Sequence, residues 1–468
     1  MAGMYPRTVS SPGSNPGARL LDSEEPFFTA FSREFMLDPD TVYLMAGQKG
    51  AMPAPVLRGL KEDIDALARD PFHVYAEDPL ATRAVLARSY GAHVDEIAIA
   101  RNATDALTQI LMGIDWQPGD EVLVSPLEHP AGIATLLRIA CRYGVIIRVF
   151  GLPDPDEATE AAIVDAVARR IVPGRTKLLF FSSPLWPNGM RMPERALARL
   201  AQTHGLITVV DGAHFAGMLT PALSASGIDF WAMSGHKWQC GPGGTGLLYA
   251  RNRVGAANPN PLPRLHLIRS AAMQDVPRDG SRPDGFDIGA ALTRSGAPEG
   301  GLWRALSNVC LRWDEIGRPR IEAWILALAD YMRERIAQAF GPQALLQPTH
   351  DTALASGIVA FNPFAAPAHR EDLALNEAFR KALFAQYRIR ISGGALGPSG
   401  WPALPGDPPG AFKAGTIPNR DPHGLKAMPL AHPHRANACV WTQRAQVDHF
   451  VTCARQLARK LEREHFHG

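Results

Sequence analysis

The chain has 468 residues, of which 46% are hydrophobic and 20% are charged, which is typical of a globular protein with a large domain and a smaller one. Its 48 basic and 46 acidic residues leave a formal net charge of +2, so its charge favours neither nucleic acid nor an anionic membrane as a partner. The five cysteines include no CxxC pair, which argues against a disulfide framework and a zinc site and favours a cytoplasmic location.

The chain ends differ in composition from its middle. Residues 1–22 begin with a Pro-, Gly- and Ser-rich stretch that has no apolar core of a secretory signal, and we predict a disordered lead there. An N-terminal arm is expected over 23–52, a large domain over 53–300 and a small C-terminal domain over 301–468. The small domain contains a long Pro- and Gly-rich loop at 393–434. No segment has the roughly eighteen consecutive apolar residues that a membrane helix needs.

Short apolar segments alternate with helical patterns between residues 54 and 250. The predicted strands are 96–100, 121–125, 145–150, 177–181, 206–211, 228–233 and 246–250. Continuous apolar strands separated by amphipathic helices predict an α/β fold whose mostly parallel sheet is covered on both faces. Because ligands bind at the carboxyl ends of such strands, we expect the loops after these strands to face one site.

Three features of these loops suggest one kind of chemistry. Lys237 lies in "MSGHKWQCGPGGTGLLY" (233–249), after the predicted strand 228–233, and Asp211 ends the predicted strand 206–211. The residues Asn102, Ala103 and Thr104 open a helix whose free N–H groups suit a phosphate, although a plain N-cap by Asn102 or Thr104 explains them as well. A lysine amine, a carboxylate and a phosphate seat are what pyridoxal phosphate requires. A surface lysine in a salt bridge is the alternative, but it leaves the glycines after Lys237 unexplained.

A family resemblance agrees with this interpretation. The segments "VVDGAH" (209–214) and "IDFWAMSGHKWQCGPGGTGLLY" (228–249) resemble the signature of the class V aminotransferases, and the likeness extends over about residues 35–460. The resemblance implies a fold-type I architecture, with a large domain built on a mostly parallel seven-stranded sheet and a small α+β C-terminal domain. It also implies pyridoxal 5'-phosphate as cofactor, an amino-acid substrate, no metal, and a homodimer with shared active sites.

The resemblance assigns roles to individual residues. Lys237 matches the lysine that forms the Schiff base and transfers protons, and Asp211 matches the partner of the cofactor's ring nitrogen. His129, in "LEHP", matches a catalytic imidazole that stacks on the ring, and His214 matches a contact to the ring oxygen. The matches to phosphate-binding positions are Ala103, Thr104, Ser234 and His236. Arg435, in "HRANACVWT", matches the arginine that binds the substrate carboxylate, and we keep Arg390 as a rival for that role.

Two positions depart from the family pattern. Trp186 stands where many members have an asparagine, and Asn188 follows two residues later, so the residue that bonds the ring oxygen is open. Ala297, in "RSGAPEGG", stands where a threonine from the partner subunit often reaches the phosphate, and Ser295 or a backbone N–H is the candidate substitute.

The cysteines bear on the reaction. Family desulfurases carry a nucleophilic cysteine shortly after a strand resembling "YRIRIS" (387–392), but this chain has Gly393-Gly394-Ala395-Leu396 there, and we expect Cys240 only to pack. A persulfide-forming desulfurase is therefore disfavoured. We expect a reaction at Cα or Cβ of an L-amino acid through an external aldimine, with C–S lyase or aminotransferase chemistry preferred. An epimerase of the isopenicillin-N type is the alternative, and a degenerate binding protein is disfavoured because Lys237 and Asp211 are intact.

Overall fold

The computed structural model describes residues 16–72, 78–155, 157–268, 277–296, 300–347, 351–393 and 432–465. The α-helices there are α1 (Pro16–Ser32), α2 (Ala54–Arg69), α3 (Pro79–Tyr90), α4 (Ala103–Gly113), α5 (Pro130–Tyr143), α6 (Glu160–Ala168), α7 (Glu194–His204), α8 (Ile288–Thr293), α9 (Gly300–Ile316), α10 (Arg318–Phe340), α11 (Pro367–Glu371), α12 (Leu373–Tyr387) and α13 (Arg444–His465). The strands are β1 (Val42–Tyr43), β2 (Ile97–Ala100), β3 (Glu121–Val124), β4 (Ile146–Val149), β5 (Thr176–Ser182), β6 (Ile207–Asp211), β7 (Phe230–Ser234), β8 (Gly246–Ala250), β9 (Ile358–Phe361), β10 (Ile389–Arg390), β11 (Ser392–Gly393) and β12 (His434–Asn437). Short 3-10 helices cover Val94–Glu96, Leu223–Ala225, Pro342–Ala344 and Thr352–Leu354.

The central sheet has seven strands in the order β2-β8-β7-β6-β5-β3-β4. Strand β8 is antiparallel to both of its neighbours, and the other pairings in the sheet are parallel. All seven predicted strands are present, which confirms the α/β fold. Every residue of β2, β3, β7 and β8 is buried, because helices cover both faces of the sheet, whereas β4 at one edge is partly exposed.

A smaller sheet forms in the C-terminal part of the chain. Its strands lie in the order β11-β12-β9 and are antiparallel. The predicted loop at 393–434 is shorter at both ends, because Gly393 closes β11 and His434 opens β12, and residues 394–431 lie outside the described residues. The domain boundary at residue 300 stays a prediction.

Part of the predicted disordered lead is helical, and residues 1–15 lie outside the described residues. The disordered lead was expected to end at residue 22, but α1 already begins at Pro16, so that boundary is wrong. Leu21 and Phe28 are buried, and the Phe28 ring stacks on Trp324 of α10 with ring centroids 4.5 Å apart. This apolar face gives α1 a packing partner that the composition of the first twenty residues does not reveal. None of the helices described is long and apolar enough to span a bilayer.

Candidate active site

A cavity of about 470 Å³ lies at the carboxyl ends of the central strands. Its lining residues are Gly47, Gln48, Asn102, Ala103, Thr104, His129, Ala131, Ser182, Trp186, Asp211, Ala213, His214, Ser234, His236, Lys237, Gly393 and Arg435. Every site residue predicted from the sequence lines it except Arg390. The parallel strands bring these loops together as expected, since Ser182 of β5 is the register partner of Asp211 of β6.

Lys237 lies in the turn between β7 and β8. At the end of this turn the backbone of Gly246 lies close to the backbones of Met233 and Asn102. A Cβ on Gly246 would lie 2.4 Å from the Met233 carbonyl oxygen and 2.9 Å from Asn102 Cα, so only glycine fits there. Burial lowers the pKa of Lys237 to about 8; Asp211 opposes this shift and Arg435 adds to it. Its amine makes no hydrogen bond or salt bridge with a residue that the structure describes.

Asp211 is a buried carboxylate at the end of β6. One of its oxygens, Oδ1, accepts a hydrogen bond of 2.9 Å from Ala213 N, which fixes its orientation toward the cavity. Only 5% of the residue is exposed, and no cation among the described residues forms a salt bridge with it. A buried carboxylate of this kind favours a cationic ligand group beside it.

His129 begins α5. Its Nδ1 accepts a hydrogen bond of 3.2 Å from Ala131 N, so the imidazole caps the helix, and its ring meets Trp186 edge-on with centroids 5.6 Å apart. Burial lowers the pKa of His129, opposed by Asp211 and assisted by Lys237 and Arg435. The His129 imidazole therefore has a structural role as the cap of α5, and its stacking on a cofactor ring stays a prediction.

Glu128 supports the site through hydrogen bonds that the sequence does not predict. Its Oε1 accepts hydrogen bonds from Ser125 Oγ at 2.5 Å and Ser182 N at 2.8 Å, and its Oε2 accepts one from Ser182 Oγ at 2.5 Å. It thus ties the loop that carries His129 to the end of β5, beside Asp211. Burial raises the pKa of Glu128 to about 7, although its three hydrogen bonds oppose that shift. No local pattern marks this role, because Ser182 is 54 residues away.

The predicted phosphate seat is at the N-terminus of α4. Asn102 Oδ1 accepts a hydrogen bond of 2.9 Å from Asp105 N, so the plain N-cap considered from the sequence is present. Ala103 N donates to Ser234 Oγ at 3.3 Å, which joins α4 to the end of β7. Thr104 also lines the cavity, and the buried Nδ1 of His236 has no hydrogen-bond partner among the described residues. The dipole of α4 suits an anionic group at this end of the cavity.

Arg435 projects into the cavity from β12. Its Nη1 donates to the Trp186 carbonyl oxygen at 2.7 Å and its Nη2 to the Gly393 carbonyl oxygen at 3.0 Å, while its guanidinium lies 5.0 Å from the Trp186 ring centroid. Its Nε is buried without a hydrogen-bond partner, and no described carboxylate forms a salt bridge with it. Burial lowers its pKa to about 10. A buried guanidinium without a carboxylate is a seat for an anion.

Arg390 is not among the residues that line the cavity, so its role as a rival carboxylate anchor stays a prediction without a supporting contact. On the short strand β10 the side chains alternate, and Ile389 takes the buried side while Arg390 faces solvent. The Arg390 guanidinium instead lies 3.5 Å from the ring centroid of Phe384.

The two departures from the family pattern have different outcomes. Trp186 lines the cavity, whereas Asn188 Oδ1 accepts from Met190 N at 3.1 Å and serves a turn outside it. Ala297 lies outside the described residues. Ser295 is described but does not line the cavity, and a contribution from a partner subunit stays a prediction.

Part of the cavity wall comes from the N-terminal arm. Gly47 and Gln48 line the cavity, Gly47 N donates to Asn437 Oδ1 at 2.7 Å, and Gly50 N donates to the His236 carbonyl oxygen at 2.8 Å. These contacts join residues up to 390 positions apart, and the segment "MAGQKG" contains no local motif that points to them.

The residues present fit pyridoxal phosphate. An amine and a carboxylate, both buried without an ionic partner among the described residues, lie in one cavity with a helix N-terminus. His236, whose buried Nδ1 has no hydrogen-bond partner among the described residues, also lines the cavity. These groups match the aldehyde, the ring nitrogen and the phosphate of that molecule. Among the described residues no cluster of metal-ligating side chains is present.

Comparison with known proteins agrees with this assignment. Residues 67–379 match the family model described as aminotransferase class-V. Isopenicillin N epimerase from Streptomyces clavuligerus is 31% identical over 337 residues, which cover 70% of this chain and 82% of that protein. A probable cysteine desulfurase from Pseudomonas aeruginosa is 34% identical over 236 residues, covering 48% of this chain and 56% of the relative.

Solved structures share the fold at lower identity. The cystine C–S lyase C-DES in complex with its reaction product, cysteine persulfide, superposes with a TM-score of 0.68 at 22% identity, covering 89% of this chain and 98% of that one. A cysteine desulfurase from Thermococcus onnurineus NA1 has a TM-score of 0.66 at 20% identity, covering 92% of this chain and 97% of that one. Fold, site and sequence together identify the chain as a member of the class V aminotransferase family of pyridoxal-phosphate-dependent enzymes.

Proposed function

We propose that this chain acts at Cα or Cβ of an L-amino acid whose carboxylate Arg435 binds while Lys237 transfers the Cα proton. The observation that supports this is the location of both groups in one cavity, the guanidinium without a described carboxylate partner and the amine with a lowered pKa. Carboxylate binding by a bidentate guanidinium is strong and orients the substrate.

Each residue has a distinct task in this mechanism. Bound pyridoxal phosphate supplies an electron sink for negative charge at Cα. Burial lowers the pKa of the Lys237 amine to about 8, so about a tenth of it is neutral at pH 7 and able to accept a proton. The Asp211 carboxylate is available to hold a protonated ring nitrogen, and the N-terminus of α4 with Ser234 and His236 is available to hold the phosphate. By fixing the carboxylate, Arg435 determines which Cα bond faces Lys237.

We further propose that this enzyme forms no cysteine persulfide on itself. The cysteines at positions 240, 310, 439 and 453 are buried, and Cys141 is exposed. None of the five is among the described residues that line the cavity. A persulfide step needs a thiolate that reaches the substrate sulfur.

The first candidate reactions are β-elimination from a sulfur-bearing amino acid and transamination. Both require only a Cα proton acceptor, an electron sink and a carboxylate anchor, each of which has a candidate residue here. Epimerisation is the second candidate, and the 31% identity to an isopenicillin N epimerase over 82% of that protein favours it.

A single panel tests the proposal. The full chain loaded with pyridoxal phosphate is incubated with the L-amino acids in deuterated water, and Cα deuterium exchange is measured by mass spectrometry, with the K237A variant as control. We expect exchange with at least one amino acid for the wild type and none for the variant. Pyruvate with a released thiol identifies elimination, a keto acid without thiol identifies transamination, and the D-isomer identifies epimerisation. Exchange that is equal in the variant contradicts the role of Lys237.

A further inference from the structure

The imidazole of His214 is held between two other parts of the chain. His214 follows β6, lines the cavity and is only 4% exposed. The indole Nε1 of Trp238 donates a hydrogen bond of 3.2 Å to His214 Nδ1. On another side of the ring, a Cβ on Gly47 would lie 3.1 Å from His214 Cε1 and 3.2 Å from Nδ1, so the N-terminal arm packs directly against it.

The hydrogen bond from Trp238 determines where the imidazole proton is. An indole N–H only donates, so His214 Nδ1 must present a lone pair to it. A proton on Nδ1 would place two hydrogens against each other and leave the buried indole N–H, on a side chain only 1% exposed, without an acceptor. The doubly protonated imidazolium is disfavoured too, because burial and the neighbouring Lys237 and Arg435 lower the pKa of His214 well below its usual value.

We propose that Trp238 is a positioning residue that fixes His214 as the neutral tautomer protonated on Nε2, so that His214 is a hydrogen-bond donor toward an oxygen of the bound ligand. Nε2 has no hydrogen bond to any other described residue. His214 is then a fixed donor, and it transfers no proton in the reaction.

His214 is then a candidate donor for the cofactor's ring oxygen, because Trp186 stands where many family members have an asparagine. Asn188, two residues after Trp186, does not line the cavity, and its Oδ1 accepts from Met190 N. The family resemblance implies a contact between His214 and the ring oxygen of pyridoxal phosphate, and the tautomer protonated on Nε2 would make His214 the donor of that contact. This identification of the acceptor rests on the proposed function, whereas the tautomer itself does not.

The tautomer is measured directly on the full chain without cofactor. Histidine ring nitrogens are labelled with ¹⁵N, two-bond proton–nitrogen correlations are recorded, and the H214Q variant identifies the signals of His214. We expect a protonated shift at Nε2 and an unprotonated shift at Nδ1 in the wild type. W238F, which removes the indole N–H, should lower the preference for that tautomer about tenfold, the effect of one buried hydrogen bond.

The chain offers a matched control in Trp324. It is also a fully buried tryptophan, but its indole Nε1 has no hydrogen-bond partner in the part of the chain that the structure describes. W324F should therefore leave the His214 signals unchanged. A wild-type His214 that carries its proton on Nδ1, or a W238F spectrum with the wild-type tautomer, overturns the proposal. The wild-type spectrum decides the first point even where W238F does not fold.

The hydrogen bond from His214 to the cofactor is tested by cofactor affinity. The dissociation constant of pyridoxal phosphate, measured by quenching of protein fluorescence in the wild type, W238F and W324F, should rise about tenfold in W238F only, because its donor is no longer fixed. A wild-type affinity in W238F together with an altered tautomer shows that His214 does not bond the cofactor. That result overturns this half of the proposal and leaves the reaction assignment untouched.

Discussion

Lys237 and Arg435 are two buried cationic side chains, and neither forms a salt bridge with a carboxylate that the structure describes. Burial lowers the pKa of the amine to about 8 and that of the guanidinium to about 10. Folding tolerates such groups where a ligand completes their environment, and perturbed pKa values of this kind concentrate at functional sites. Two of them in one cavity with Asp211 are therefore stronger evidence for a site than any one of them.

The role of Lys237 predicts a specific covalent adduct. Borohydride reduction of the cofactor-loaded wild type should fix pyridoxal phosphate to Lys237, as shown by peptide mass spectrometry. K237A should give no adduct but still bind the cofactor, because the seat at α4 is separate from the amine. K49A, which removes an exposed lysine of the N-terminal arm, should retain the adduct. An adduct at a different lysine in K237A would show that the assignment is wrong.

The role of Arg435 predicts a binding defect. A charge-assisted contact in a buried site contributes about 2–3 kcal/mol, so R435A should raise KM for the amino-acid substrate by tens-fold or more while the cofactor adduct forms normally. R435K keeps the positive charge but loses the planar guanidinium that binds a carboxylate through two hydrogen bonds, so we expect an intermediate KM. R390A is the matched control, since Arg390 is exposed and packs on Phe384. Equal defects in R435A and R390A would contradict the assignment.

Strands and loops differ in how far the sequence determines them. The seven strands of the central sheet are predictable because each is a short, mostly apolar segment, and the positions of Lys237 and Asp211 follow from the ends of β7 and β6. Arg390 shows what local patterns miss, because its direction depends on which face of a two-residue strand is buried. Glu128 and Gly47 are missed for a different reason: their partners, Ser182 and Asn437, are far away in sequence.

The packing of the N-terminal arm on the lysine turn predicts the effect of a single methyl group. A Cβ on Gly50 would lie 2.0 Å from the Lys237 carbonyl oxygen and 3.0 Å from Cys240 Sγ, so G50A must displace the arm from that turn. We expect a loss of about 1–3 kcal/mol in the free energy of unfolding and at least a tenfold weaker affinity for pyridoxal phosphate. Urea unfolding and cofactor titration measure these two quantities.

A matched glycine provides the control for G50A. Gly59 lies in α2, and a Cβ there would meet nothing within 4 Å. G59A should raise the free energy of unfolding by up to about 1 kcal/mol, because alanine is the better helix former, and should leave cofactor affinity unchanged. Unchanged cofactor affinity in G50A would mean that the arm does not support the site.

At the scale of the whole molecule, three separate parts of the chain meet at the cavity: the carboxyl edge of the central sheet, the N-terminal arm and the small sheet that carries Arg435. Arg435 of β12 donates to the Trp186 carbonyl oxygen, and Gly50 N of the arm donates to the His236 carbonyl oxygen, so the small sheet and the arm are both tied to this edge. Asn437 of β12 accepts from Gly47 N and so joins the arm to the small sheet. Occupation of the cavity should therefore be coupled to the stability of the whole fold.

Glu128 gives that stability a pH dependence with a definite sign. Burial raises its pKa to about 7, above its usual 4.5. Between these values the folded chain holds a proton that the unfolded chain has released, so the stabilisation is complete below pH 4.5 and is lost as pH rises through about 7. The difference corresponds to about 3 kcal/mol in the free energy of unfolding.

E128Q should remove this dependence, because the amide keeps the contacts to Ser125 and Ser182 but does not titrate. Urea unfolding of wild type and E128Q across that pH range should give curves that diverge, the wild type losing about 3 kcal/mol relative to the variant as pH rises. The control is E121Q: Glu121 is equally buried but forms salt bridges with Arg148 and Arg175, so its neutralisation should destabilise the fold at neutral pH. Parallel curves for wild type and E128Q over that range would mean that folding does not raise the pKa of Glu128, which would contradict this prediction.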